Sequence, residues 1–484
     1  MVKLNVGMKA CGIFLLWATA AVALPAQTFT SLHSFNGTAG EFPLGILVQA
    51  TDGNLYGTTL AGGPDGEGTF FKITTDGALT TLYDFSSADG ASPYAGVVQG
   101  TDGNFYGTTS YGGNMAECGG AGCGTVFKIT PTGGLTTLYE FCQIVSKHGR
   151  CLDGINPMAP LILGDDGDFY GTTTSAGTGN EGGGTVFRIT PSGALTTLYS
   201  FCSIGGLSCP DGHFPFAGLL QASDGNFYGT TVQGGHGCPV EGCGTVFKIT
   251  PSGEMTTLYR FSGPDGTYPV GTLVQGADGW LYGGTEYGGA NDDGTIFKIS
   301  TAGALTTLFS FDGANGKTPY VGVILGTNGN FYGTTLHGGP KGDGTIFEMT
   351  SGGKLTELHG FDATDGADPS AGLAQDTDGS FYGTTYFGGA KRHGHGTVFS
   401  LSVGLGAFVK TLPTFGTVGE TISILGSNLT GSTKVTFHGI QAAFTVVSNT
   451  EITATVPTGA TTGTVKVVTP GGTLSSNVPF RVTP

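Results

Sequence analysis

Charge is scarce in this 484-residue chain: Asp, Glu, Lys and Arg make up 11%, against roughly a quarter in an average globular domain. Coiled coils and helical solenoids need far more Glu, Lys, Arg and Ala, so the composition argues against both. Positive charge is scarcer still, with 19 Lys and Arg against 35 Asp and Glu. Within residues 27–403 the balance is 13 basic to 33 acidic, whereas residues 404–484 carry four basic and two acidic groups. So acidic a body repels phosphate backbones and anionic membranes, and nucleic acid is not an expected partner. Catalytic signatures are also missing: there is no G-x-S-x-G elbow, no H-E-x-x-H and no Walker A loop. Gly177–Gly182 fits G-x-G-x-x-G, but a strand pattern follows it where a nucleotide site needs a helix.

Long apolar runs are confined to the amino terminus. Lys3 and Lys9 precede the run Cys11–Leu24, and Ala21-Val-Ala23 and Leu24-Pro-Ala26 offer small-residue cleavage sites. At about 14 residues the run is short for a spanning helix, which needs ~20. Residues 1–26 therefore read as a signal peptide, and the mature chain as secreted or cell-surface, with no transmembrane segment expected. Eight cysteines follow in close pairs, Cys118/Cys123, Cys142/Cys151, Cys202/Cys209 and Cys238/Cys243. Export and an even, locally paired set predict four disulfides.

What the chain has in abundance is glycine, 91 residues, placed at a regular interval. The phrase Asp-Gly-Asn-Phe-Tyr-Gly-Thr-Thr recurs with its tyrosine at 56, 106, 170, 228, 282, 332 and 382, spaced by 50, 64, 58, 54, 50 and 50 residues. The longer intervals contain the cysteine pairs, so they are loop insertions on a common unit. Each unit holds four short apolar runs with strand alternation. In the fourth they are Ala217–Gln221, Asn226–Thr231, Gly244–Thr250 and Met255–Phe261, joined in part by Asp224-Gly225 and Thr250-Pro-Ser-Gly253. Four antiparallel strands per repeat predict an all-β, seven-bladed β-propeller over residues 27–403. The last unit stops after its third strand, and Thr28–Phe35 resembles the fourth strand Leu79–Phe85. The amino-terminal strand is therefore expected to close the ring.

The repeat resembles the exported bacterial GloVer-type tandem repeats, through Asp-Gly-Asn-Phe-Tyr-Gly-Thr-Thr, the following Gly-Gly, and Gly-Thr-Val-Phe-Lys-Ile-Thr-Pro-Ser-Gly. The resemblance implies export and varied C-terminal attachment modules, and no established activity. Residues 404–484 change to six short alternating runs. Through Gly416–Gly419, Ile424–Asn428, Val435–Gly439, Ile452–Pro457 and Thr469–Gly472 they resemble an IPT/TIG domain, a small immunoglobulin-like β-sandwich.

The strand order puts every insertion on one face, together with the loops that enter each first strand. Two variable positions fall there. One reads Ala61, Tyr111, Ser175, Gln233, Tyr287, His337 and Phe387; the other, after a repeated proline, reads Leu44, Tyr94, Met158, Phe216, Val270, Tyr320 and Ser370. Their aromatic and histidine members, Tyr94, Tyr111, Phe216, Tyr287, Tyr320, His337 and Phe387, are the candidate binding residues, suited to stacking on sugars or holding a peptide. Asp153, Glu181, Asp211 and Glu286 lie on or near this face, but no spacing selects an acid pair. Asp-Gly-x-x-Pro loops at Asp89, Asp211, Asp265 and Asp365 read as structure, and His393-x-His395 as a solvated pair. No cofactor or metal is expected. The sequence thus favours a non-catalytic binding or surface-structural protein contacting a glycan or protein. The alternative is a propeller hydrolase or lyase acting on polysaccharide, since the Asp-Gly-Asn-Leu-Tyr turn is similar to that of streptogramin-lyase-type propellers.

Overall fold

The computed structural model describes residues 27–179, 182–203, 209–235, 238, 242–389 and 394–483. The expected signal peptide, Glu181 and His393 lie outside these residues. The described chain is all-β, with one short 3-10 turn at Cys118–Gly120.

Seven four-stranded antiparallel sheets lie within residues 28–402, an arrangement consistent with the blades of a propeller. In the fourth unit the strands are Leu220–Gln221, Phe227–Thr231, Thr245–Ile249 and Met255–Arg260, in sheet order. The third and fourth strands slip register at Val246/Phe247, and the same bulge recurs in the other units that run through all four strands. The first strands are shorter than the sequence suggests, two or three residues each. Their glycines explain this: a Cβ on Gly45 would stand 2.5 Å from the amide nitrogen of Gly96, and one on Gly271 would stand 2.4 Å from that of Gly322. Neighbouring units approach backbone to backbone here, leaving little room for strand pairing.

Thr28–Ser34 pairs antiparallel with Thr397–Ser402, from Thr28↔Ser402 to Ser34↔Thr397, and completes the sheet of the last repeat. Aromatic contacts join each sheet to the next. The phenylalanine that ends a fourth strand lies edge-on against the third-strand phenylalanine of the following unit: Phe85–Phe127, Phe141–Phe187, Phe201–Phe247, Phe261–Phe297, Phe311–Phe347 and Phe361–Phe399, with centroids 5.1–5.6 Å apart. Phe35 makes the same contact with Phe71, at 5.4 Å. The repeated tyrosine packs likewise on the second strand of the next unit, as in Tyr106–Phe169 at 4.0 Å. Tyr382 of the last unit clusters with Leu55 and Phe71 of the first.

Residues 410–475 add two further four-stranded sheets, with a parallel pair formed by Phe415–Gly416 and Arg481–Val482. Ile422, Ile424 and Ile452 of one sheet and Val435, Phe437, Val465 and Val467 of the other share a single apolar core. This module rests on the turns between first and second strands. Thr450 Oγ1 donates to the Thr51 carbonyl at 3.0 Å, Phe408 N–H to Thr377 O at 3.0 Å, and Arg481 Nη1 to Ala222 O at 3.0 Å. Arg481 also pairs with Asp165, and Lys410 Nζ donates to the Gln375 carbonyl. Burial pushes Asp376 up to about 6, reinforced by Asp378 and opposed by Lys410. Burial likewise pulls Lys410 down to about 8.

Two outcomes are expected. Phe35→Ala lowers the unfolding free energy by about 3–5 kcal/mol, the usual cost of a buried phenylalanine, and by as much as Phe201→Ala in the same denaturant titration. For Asp376, the folded chain holds a proton that the unfolded chain loses near pH 4. Its contribution is complete below that pH and disappears as pH rises through about 6. Relative to Asp376→Asn, the parent protein therefore gains stability on acidification from pH 6 to 4, at up to roughly 1.4 kcal/mol per pH unit. A melting series read across that range measures the difference.

Candidate functional site

The loops that enter the first strands share one backbone device. The residue before the repeated proline has positive φ in all seven units: Phe42, Ser92, Asn156, Phe214, Tyr268, Thr318 and Asp368, at 52–61°. Left-handed backbone costs a non-glycine residue of order 1 kcal/mol or more, and a following proline favours extended geometry instead. Two hydrogen bonds hold each residue there. Its N–H donates to a loop carbonyl of the preceding unit, as in Ser92 to Glu67 O at 2.8 Å. Its own carbonyl accepts from the end of the second strand, as in Glu286 N–H to Tyr268 O at 2.9 Å. The turn aims the residue after the proline inward.

Leu44, Tyr94, Met158, Phe216, Val270, Tyr320 and Ser370 accordingly line a single cavity of about 60 Å³. Across it the Tyr94 and Tyr320 hydroxyls hydrogen-bond at 2.9 Å. Phe216 stands edge-on to both rings, at 5.3 and 5.9 Å. This volume holds only a water or two. These three candidate residues thus pack against one another, forming a floor. Burial raises both tyrosines, so their hydroxyls stay protonated.

Units five to seven and the start of unit one build a wall beside this floor. Tyr287 is 40% exposed and packs edge-on against Tyr268. Burial raises the adjacent Glu286 carboxyl above its ordinary value, and Tyr287 and His337 draw it down. His337 Nδ1 lies 3.1 Å from Asp368 Oδ1, and that carboxylate lifts its pKa. Phe387 is half-buried between Phe42 and Tyr386, and His395 pairs with Glu41. Sequence reasoning missed Asp368, Tyr268, Tyr386 and Phe42. Asp368, Tyr268 and Phe42 occupy the pre-proline position, whose variability among repeats was the available signal. A further exception falls in this sector. In six units a second-strand threonine hydroxyl donates to a carbonyl of the next unit's first-strand entry, as Thr334 does to Pro369 O. In unit five that position is Gly284, so the Pro319 carbonyl beside Tyr320 receives no threonine hydroxyl.

Two of the acids near this face anchor loops, as the Asp-Gly-x-x-Pro reading of Asp211 expects. Asp153 and Asp211 are fully buried and accept the hydroxyls of Tyr139 and Tyr199 at 2.7 and 2.9 Å. Asp89 and Asp265 bind Tyr83 and Tyr259 in the same way, so this pairing anchors the loops. All four disulfides are formed, Cys118–Cys123, Cys142–Cys151, Cys202–Cys209 and Cys238–Cys243, in the loops of units two to four. Cys118, Cys123 and Cys151 bring their sulfurs together, but those atoms are committed to disulfides and cannot hold a metal as they stand. Tyr111 lies apart from the wall, 41% exposed over a hollow between units one and two.

Solved structures with a similar chain course include a gluconolactonase from Xanthomonas campestris, 13% identical, covering 78% of this chain and 90% of its own, with TM-score 0.39. A Bacteroides thetaiotaomicron protein of unknown function is 12% identical, covering 78% and 76%, with TM-score 0.41. A luciferin-regenerating enzyme is 11% identical, covering 63% and 89%, with TM-score 0.37. Likeness at this level assigns no chemistry. No curated protein matches the chain. The Gloeobacter/Verrucomicrobia repeat matches residues 19–239 and 217–449, and the chain belongs to that repeat family.

Proposed function

We propose that residues 28–403 form a closed seven-bladed propeller and residues 404–484 an IPT/TIG-like sandwich. On this reading the protein is exported behind its leader and binds a glycan without turning it over. The Phe35–Phe71 contact and the pairing of Thr28–Ser34 support closure. Two sheets sharing one core support the sandwich, and four formed disulfides support export.

The observation that carries the binding reading is the wall of units five to seven. Exposed Tyr287 and half-buried Phe387 alternate there with Glu286 and the His337–Asp368 pair, above a floor bridged by the Tyr94–Tyr320 hydrogen bond. Aromatic faces take the C–H side of a sugar ring, while carboxylates and imidazole take its hydroxyls. The rigid strands beneath hold these groups in place, so little order is lost on binding. The docked sandwich covers turns of the opposite face, which leaves the loop face for the ligand and gives the sandwich the role of spacer or attachment module.

One observation favours the enzymatic alternative. Glu286 combines a raised pKa with a nearby His337–Asp368 pair, as an acid–base site would. A glycan array probed with residues 27–484, followed by product analysis on each hit, separates the readings. Binding without new products is expected, and Tyr287→Ala weakens it roughly tenfold, about the worth of one stacked aromatic. Unchanged affinity in Tyr287→Ala contradicts the wall as the site. Cleavage that Glu286→Gln abolishes establishes the enzyme instead.

A further inference from the structure

A separate hollow of about 370 Å³ opens on the boundary between units one and two. Glu67 and Ser87 form one side, and Tyr111, Met115 and Ala121 the other. Tyr111 and Met115 are each 41% exposed, so two large apolar side chains stand in water with no protein partner covering them.

Backbone hydrogen bonds and a disulfide hold most of this hollow. Tyr111 and Ala91 exchange both backbone hydrogen bonds, at 2.8 and 3.0 Å. The loop after Met115 carries the Cys118–Cys123 disulfide and is tied back by Gly112 N–H to the Ala121 carbonyl at 2.9 Å. The Glu67 carbonyl accepts from Ser92 N–H at 2.8 Å, which anchors its backbone to the next unit. Its Oε1 accepts from the Ser87 hydroxyl at 2.8 Å, so the carboxylate is held in one orientation with Oε2 left for another donor.

We propose that this hollow is a second binding site, for a neutral pyranose residue of a β-linked glycan. Tyr111 supplies a flat apolar surface for the C–H face of the ring, and Met115 flanks it. Glu67 accepts a sugar hydroxyl. The volume suits a sugar ring, unlike the cavity of about 60 Å³ beside Tyr94 and Tyr320. A body with 33 acidic and 13 basic residues repels uronates, which selects neutral sugars. β-Linked chains of equatorial pyranoses present the flat faces that a tyrosine platform needs. At the other boundaries that carry an acid, the ring is engaged: Phe387 beside Asp343 packs against Phe42 and Tyr386, and His337 beside Asp293 pairs with Asp368. The hollow also explains why unit two carries an insertion and a disulfide, because that loop forms its rim. The proposal stands on these residues alone and does not depend on the wall of units five to seven.

The test titrates residues 27–484 with cellohexaose, mannohexaose and laminarihexaose by calorimetry, with an oligogalacturonate hexamer as the charged comparison. At least one neutral probe binds, and the galacturonate binds at least roughly tenfold more weakly. Tyr111→Ala lowers affinity for that probe roughly tenfold, Tyr111→Phe retains it within about twofold, and Glu67→Gln weakens it severalfold. Tyr287→Ala leaves the Tyr111-dependent component in place, which distinguishes this site from the wall. As a readout independent of variants, the bound probe shifts the Tyr111 ring and Met115 methyl resonances of the parent protein. Failure of all three neutral probes to bind, equal affinity in Tyr111→Ala, or binding that leaves those resonances unmoved overturns the proposal.

Discussion

Edge-on contact between phenylalanines at each sheet boundary is the interaction on which the other features rest. One ring ends the fourth strand of a unit and the other sits in the third strand of the next. Because a four-stranded sheet buries little by itself, its stability comes from its neighbours. Phe35 carries the contact across the junction of first and last units, so no sheet among them is left without this partner on either side. The rigidity of the loop face follows. The strained pre-proline residues hold their φ only because hydrogen bonds from two different units pin them, and those bonds need the sheets in fixed relation.

Repetition also separates scaffold from site. Seven threonine pairs, such as Thr59–Thr69 and Thr385–Thr397 at 2.9 Å, recur in every unit and leave no freedom for ligand recognition. Departures from the repeat mark where that constraint is relaxed. Gly284 replaces a threonine two residues before Glu286, and Tyr111 replaces the smaller side chains found at Ala61 and Ser175. The acidic body and the slightly basic C-terminal module meet at the opposite turns, where Arg481 and Lys410 reach Asp165 and the Asp376 region.

Much of this was legible in the sequence because it is local or repeated. The strand set follows from alternation within each unit, and the cysteine pairs lie five to nine residues apart. The match of Thr28–Phe35 to Leu79–Phe85 pointed to the partner of the amino-terminal strand. Comparing repeats picked out the seven residues that line one cavity, but not that Tyr94 and Tyr320, 226 residues apart, bond to each other across it. Asp211 was legible as structure through its Asp-Gly-x-x-Pro loop, but nothing local reveals that a fourth-strand tyrosine folds over it and over Asp153. The seating of the C-terminal module was illegible, resting on single contacts such as Thr450 with Thr51 that no pattern announces.

Hydrogen exchange tests the central claim, that the amino-terminal strand is an integral fourth strand of the last unit, most directly. Amides of 28–34 are compared with those of Leu195–Ser200, the fourth strand of an interior unit. The account predicts equal protection, with both segments opening only with their sheets. Fast exchange in 28–34 beside slow exchange in 195–200 would contradict it, and with it the fixed loop face on which both proposed binding sites depend.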